Sequence, residues 1–170
     1  GKTLDYIYHE YFNVIQAPEN RQFLPEMFVR KQCTYSREND INYIRIEGEI
    51  VPINCNIYFG VDLASSERRG ADDTVIFILA MLSDGRAVSL AYEYGKMGQR
   101  DELYSKSNVD TFRRVPGDIR RKGVVDETLR LAEIYHPDLI TVETISEQAK
   151  TYQEINRVAR VNNFHVKTMS

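Results

Sequence analysis

A chain of 170 residues, 42% hydrophobic and 28% charged, has enough apolar side chains for one domain with a buried core. No apolar run nears the ~20 residues of a membrane span, and the start Gly1-Lys2-Thr3-Leu4-Asp5 has no apolar leader, so no membrane partner and no signal peptide are expected. The net charge of −3 excludes a general attraction to nucleic acid and leaves that role to local patches.

Residues 1–50 are rich in Tyr, Asn, Glu and Arg, and Pro18 and Pro25 break any long helix. Tyr6 to Val14 has the make-up of a short helix, and Ser36 to Ile50 reads as irregular chain or edge strand. The expectation is a linker, or the tail of a preceding domain, packed on a core that occupies 51–170. Cys33 and Cys55 lie far apart with no histidine nearby, which predicts free thiols in a reducing compartment rather than zinc or a disulfide.

From Ile57 the pattern is regular. Strands are predicted over 57–64 and 73–82, then a hairpin turn Ser83-Asp84-Gly85-Arg86 and a third strand over 87–94. A polar stretch runs from Gly95 to Gly123. Val125, Leu129 and Ala132 fall at i, i+4 and i+7 in a helix over Val124 to Tyr135 that Pro137 stops. A fourth strand covers 138–143. Thr144-Ile145-Ser146-Glu147 has capping-box spacing for a helix that runs to Val161, with Tyr152, Ile155 and Ala159 on one face. Phe164 to Met169 is a fifth strand. The order β-β-β-α-β-α-β predicts an α/β fold: a mixed sheet with helices on its faces and strand four beside strand one. This is the ribonuclease H-like arrangement.

Two of these strands each end in a lone acid. Ile57-Tyr58-Phe59-Gly60-Val61 leads to Asp62, and Leu139-Ile140-Thr141-Val142 leads to Glu143. An unpaired carboxylate in an apolar strand is costly, although a strand-end Asp also serves simply to cap a turn. On adjacent strands ~4.8 Å apart the two acids repel, and a divalent cation relieves that repulsion. Oxygen-only ligands suit Mg²⁺ or Mn²⁺, and a pair of such ions is the clamp used for in-line phosphodiester hydrolysis. Asp72 and Asp73, where strand two begins, are further candidate ligands, or else solvated acids at a strand flank. Adjacent strand residues face opposite ways, so the two are not expected to serve equally.

Gly60-Val61-Asp62-Leu63-Ala64 followed by Gly70-Ala71-Asp72-Asp73-Thr74 resembles the nuclease domain of the large terminase subunit, the DNA-packaging motor of tailed viruses. Glu10-Tyr11-Phe12-Asn13 with Ala17-Pro18-Glu19-Asn20-Arg21 resembles the segment between its ATPase and nuclease domains, and Leu139 to Glu143 its second acidic strand. The resemblance implies a metal-dependent endonuclease that cuts concatemeric viral DNA during packaging, with little sequence preference. Asp62 and Glu143 would be catalytic metal ligands, and Asp72 an auxiliary acid. Double-stranded DNA, the ATPase domain, the small subunit and the portal are the implied partners, in the cytoplasm of an infected host cell. The family's third acidic ligand follows the fifth strand, whereas no Asp follows Asp138 and the chain stops at Ser170. An incomplete C-terminal part, and with it an incomplete ligand set, is the expectation, which leaves the activity of this piece open.

The stretch from Gly95 to Gly123 holds eight basic and four acidic residues, with Arg113, Arg114, Arg120, Arg121 and Lys122 the densest group. Such charge suits phosphate contacts without base reading, or plain solvation. Arg68 and Arg69, between the acidic positions, carry the same two readings. The stretch is expected to be mobile without DNA, since it has little apolar surface to offset ordering. His136 before Pro137 is expected to favour the helix dipole. Three other classes compete: a non-catalytic DNA-binding or motor-docking module, a resolvase- or transposase-type nuclease, and an actin- or sugar-kinase-like nucleotide-binding fold with Ser65-Ser66 as its phosphate turn.

Overall fold

The computed structural model describes residues 28–64, 73–103, 119–143 and 148–169. The chain divides into Gly1–Gln32 and a second compact unit, Cys33–Ser170. In the second unit β1 (Cys33–Glu38), β2 (Ile41–Ile46), β3 (Ile53–Asp62), β4 (Thr74–Leu82) and β5 (Ala87–Gly95) lie side by side in that order. The short strands β6 (Glu102–Leu103) and β7 (Ile119–Arg121) form a separate ribbon. Then come α1 (Val124–Tyr135), β8 (Leu139–Glu143), α2 (Ala149–Val161) and β9 (Val166–Met169). The fold is α/β with a mixed sheet.

β3 is the axis of that sheet. Its side chains alternate: Cys55, Ile57, Phe59 and Val61 are buried, whereas Asn54, Asn56 and Asp62 on the other face are exposed. That alternation is the strand period of two, and burying Phe59 or Ile57 contributes ~1.5–3 kcal/mol each. β4 runs antiparallel along one edge from Cys55 to Asp62. The opposite edge is divided. β2 pairs antiparallel with Ile53 to Cys55, and β8 pairs parallel with Tyr58 to Asp62. β9 continues parallel beside β8. The sequence places β8 beside β3, and it is found there.

Both helices cover the face that Ile57 and Phe59 present. Val125, Leu129 and Ala132 of α1 and Ile155, Val158 and Ala159 of α2 join the same buried cluster, as the helical spacing requires. α1 ends at His136, which takes a left-handed conformation (φ 46°) and gives its N–H to the Ala132 carbonyl; Pro137 follows. Burial, and then the charge of Arg37, lower the pKa of His136, so the neutral ring is favoured over the cation expected at a helix C-terminus. β8 begins at Leu139, one residue later than expected, and the carboxylate of Asp138 just before it accepts the Ile57 N–H at 2.7 Å and so fixes the β8 register. The Thr144–Glu147 start expected for α2 lies outside the described residues.

The hairpin β1–β2 belongs to the sheet, so the compact unit begins at Cys33, ahead of the boundary near residue 50 that composition suggests. Asn39 and Asp40 both have positive φ (49° and 62°), the signature of a two-residue primed turn. Buried Asn42 locks the hairpin to α1: its amide donates to the His136 carbonyl at 3.2 Å, and its Oδ1 accepts from the Tyr35 hydroxyl at 2.8 Å. Cys33 is exposed and Cys55 buried, and neither is in a disulfide; burial, with the charge of Asp138, pushes the Cys55 thiol up to about 11.

Candidate functional site

The site is built by register. Asp62 of β3 stands directly opposite Glu143 of the parallel strand β8. Partners in a ladder share a face, and neighbouring strands lie ~4.8 Å apart. Both side chains are exposed, on the face away from the helices. Extended across the sheet, the row reads Tyr94, Val75, Asp62, Glu143, Met169. The two lone acids picked from sequence are therefore brought together.

The backbone around the pair is held from several sides. The Ala64 N–H donates to the Thr74 hydroxyl at 3.0 Å, which ties the exit of β3 to the start of β4. Buried Gln148, just before α2, donates its amide to the Leu63 carbonyl at 2.6 Å. The Thr141 hydroxyl donates to the Phe59 carbonyl at 2.7 Å, across the two strands that carry the acids. Gln148 and Thr141 have no motif of their own in the sequence. Their partners lie 85 and 82 residues away, so only the fold reveals them.

Asp73 precedes β4 and forms an ion pair with Lys96 at 3.1 Å, just beyond β5. Asp72, Arg68 and Arg69 lie outside the described residues, as do Arg113 and Arg114. Arg120 pairs with Glu102 at 3.0 Å and Arg121 with the same carboxylate at 3.6 Å. Lys122 meets Glu93 at 2.8 Å and the fully buried Glu127 at 3.6 Å. Arg100 grips Asp126 at 2.9 Å and Glu154 at 3.0 Å, and hydrogen bonding to Asp126 raises its pKa. The flanks of the basic stretch are thus tethered to the fold. Gly98 and Gly123 form a bridge, and the Gly123 N–H donates to Asp101 at 2.7 Å.

Two carboxylates offer oxygen donors only. This set fits a hard divalent cation, which takes one or two protein carboxylates and fills its remaining positions with water and phosphate oxygens. Among the described residues no group of three His, Cys, Asp or Glu side chains is gathered for a metal. No helix is long and apolar enough to cross a membrane, among the described residues. Comparison with family models, curated proteins and solved structures gave no match.

Proposed function

We propose that this chain is a metal-dependent DNA endonuclease with a ribonuclease H-like fold, of the kind found in the nuclease domain of viral large terminase subunits. The observation that carries the reading is the in-register pair Asp62 and Glu143 on adjacent parallel strands. The strand order β5-β4-β3-β8-β9, with β4 antiparallel to its neighbours and β8 and β9 parallel to β3, supports the fold assignment.

Asp62 and Glu143 would hold Mg²⁺ or Mn²⁺ at the mouth of the sheet. Such ions polarise a phosphodiester and lower the pKa of bound water. The protein's share is positional. Two parallel strands fix the spacing of the oxygen donors, and Thr141, Gln148 and Thr74 hold the strand ends still. The substrate would be double-stranded viral DNA, cut during packaging with little sequence preference, alongside the motor's ATPase domain, small subunit and portal.

The test is nicking of supercoiled plasmid in Mn²⁺ or Mg²⁺. Asp62→Asn should abolish cutting with the fold intact by circular dichroism. Cutting that persists in excess EDTA, or in Asp62→Asn, ends this reading.

A further inference from the structure

Each basic side chain that sequence reading assigned to DNA and that is described, Arg120, Arg121 and Lys122, is engaged by an acid of the fold. Arg160 at the end of α2 and Lys167 in β9 are different: they make no ion pair among the described residues, and they converge on one open cavity of about 410 Å³. Tyr58, Asp138, Leu139, Phe164, His165 and Val166 complete its wall. Of these, the Asp138 carboxylate accepts the Ile57 N–H.

The strand side of the cavity, Tyr58, Leu139 and Lys167, shares a face with the acid pair, and Arg160 closes it from the end of α2, the helix that covers the other face. Tyr58 is opposite Leu139, and alternation puts Tyr58 on the side of Asp62, and Leu139 on that of Glu143. Lys167 stands beside Thr141, two residues before Glu143 on the same face. Two strand spacings across and two residues along place the Lys167 and Asp62 backbones ~12 Å apart. One strand of a duplex carries a phosphate every ~3.4 Å of axis, so Lys167, on the near side of the cavity, stands about three to four phosphates from the acid pair.

We propose that Arg160 and Lys167, with His165 and the Tyr58 hydroxyl beside them, form a docking site for the phosphodiester backbone of the nucleic acid strand whose cut falls at Asp62 and Glu143. The proposal deepens the nuclease reading and rests on it for the position of the cut. Arg160 offers a planar fork and Lys167 a point charge, a pairing suited to phosphate oxygens. Neither reads bases, in keeping with cutting of little sequence preference. They are positioning residues.

The experiment measures binding of a fluorescent duplex in EDTA, where nothing is cut, as a function of NaCl. The double variant Arg160→Gln/Lys167→Gln changes two exposed side chains and should fold. Its affinity should fall about tenfold, and the slope of log K against log salt should become shallower by about 1.8, for two lost phosphate contacts. Arg157→Gln, on the same helix but paired with Glu154 at 2.7 Å, should leave both unchanged. Parent-like affinity and slope in the double variant overturn the proposal, even where Asp62→Asn abolishes cutting and the nuclease reading stands. Weakened binding by the double variant while Asp62→Asn still cuts upholds the docking site and removes the acid pair from the chemistry. Protection of the parent from melting by inorganic phosphate or ATP, with duplex binding unaltered in the double variant, reassigns the cavity to a small anion and also overturns it.

Discussion

Replacing Glu143 by Gln should invert the order of stability between variant and parent when a divalent cation is added. The two strands hold Asp62 and Glu143 in register, so their carboxylates, leaving the sheet on one side, lie about 5 Å apart. Both are exposed, and at water's dielectric the repulsion is about 0.8 kcal/mol. Glu143→Gln removes it at nearly constant volume. For a chain of this size that is a rise in melting temperature of about 2 °C in EDTA at low salt, which 0.5 M NaCl should largely erase. With Mn²⁺ at a hundred times its dissociation constant the parent gains about 2.7 kcal/mol, or roughly 5–10 °C. The variant, with one carboxylate fewer, should gain little and melt below the parent. Differential scanning fluorimetry across the four conditions reads this out. Equal Mn²⁺ gains in parent and variant, or a variant that melts lower in EDTA, refute the shared-cation reasoning.

Gly123→Ala should cost about 1–3 kcal/mol, because a Cβ there would sit 2.0 Å from the Arg100 carbonyl carbon and 2.3 Å from the Asp101 nitrogen, both backbone atoms; a urea midpoint equal to the parent's contradicts this. Of the two thiols, Cys33 should react at once with a disulfide reagent at pH 8, whereas buried Cys55, pushed up to about 11, should react only on unfolding; equal labelling rates refute it. Folding lowers the pKa of His136. A lowered pKa contributes stability above the unfolded value near 6.5 that is lost as pH falls through the folded value. His136→Asn, which keeps a residue tolerant of left-handed backbone, should therefore flatten the melting temperature against pH between about 7 and 5, and an unchanged profile counts against it.

The core strands were legible because their chemistry repeats with the strand period: Cys55, Ile57, Phe59 and Val61 inward, Asn54, Asn56 and Asp62 outward. α1 was legible through its apolar spacing and Pro137. The β1–β2 hairpin was not. Its inward row is Asn42, Ile44 and Ile46, all buried, and an asparagine in a core position breaks the alternation that would announce a strand. Of the partners that justify its burial, Tyr35 is in the same hairpin, but the carbonyl of His136 lies 94 residues away. The same distance hid the fate of the basic stretch. Composition showed an excess of cations from Gly95 to Gly123, but the acids that engage Arg100 and Lys122 stand on β5, α1 and α2. The cavity of Arg160 and Lys167 joins a helix end to a strand, and neither cation belongs to a charge run.

The division of labour along β3 explains why the acids fall where they do. Parallel strands end at the same end of a sheet, so Asp62 and Glu143, each the last residue of its strand, arrive together where the chain turns away. An antiparallel neighbour brings its beginning to that end instead. β4 can offer an acid there only from the residues just before Thr74, and Asp73, the described one, is paired with Lys96. The first residues of β3, clasped by β2 on one edge, are left to structure. Its last five face β8, and both chains are tied just past or across that end by Thr74, Thr141 and Gln148. Repulsion between two carboxylates is tolerable in such a frame because it costs less than one kilocalorie per mole in water, against strands that the buried row from Cys55 to Val61 holds in place. A site of this kind stores its charge at the rim, where a cation and a phosphate can reach it, and leaves the core apolar.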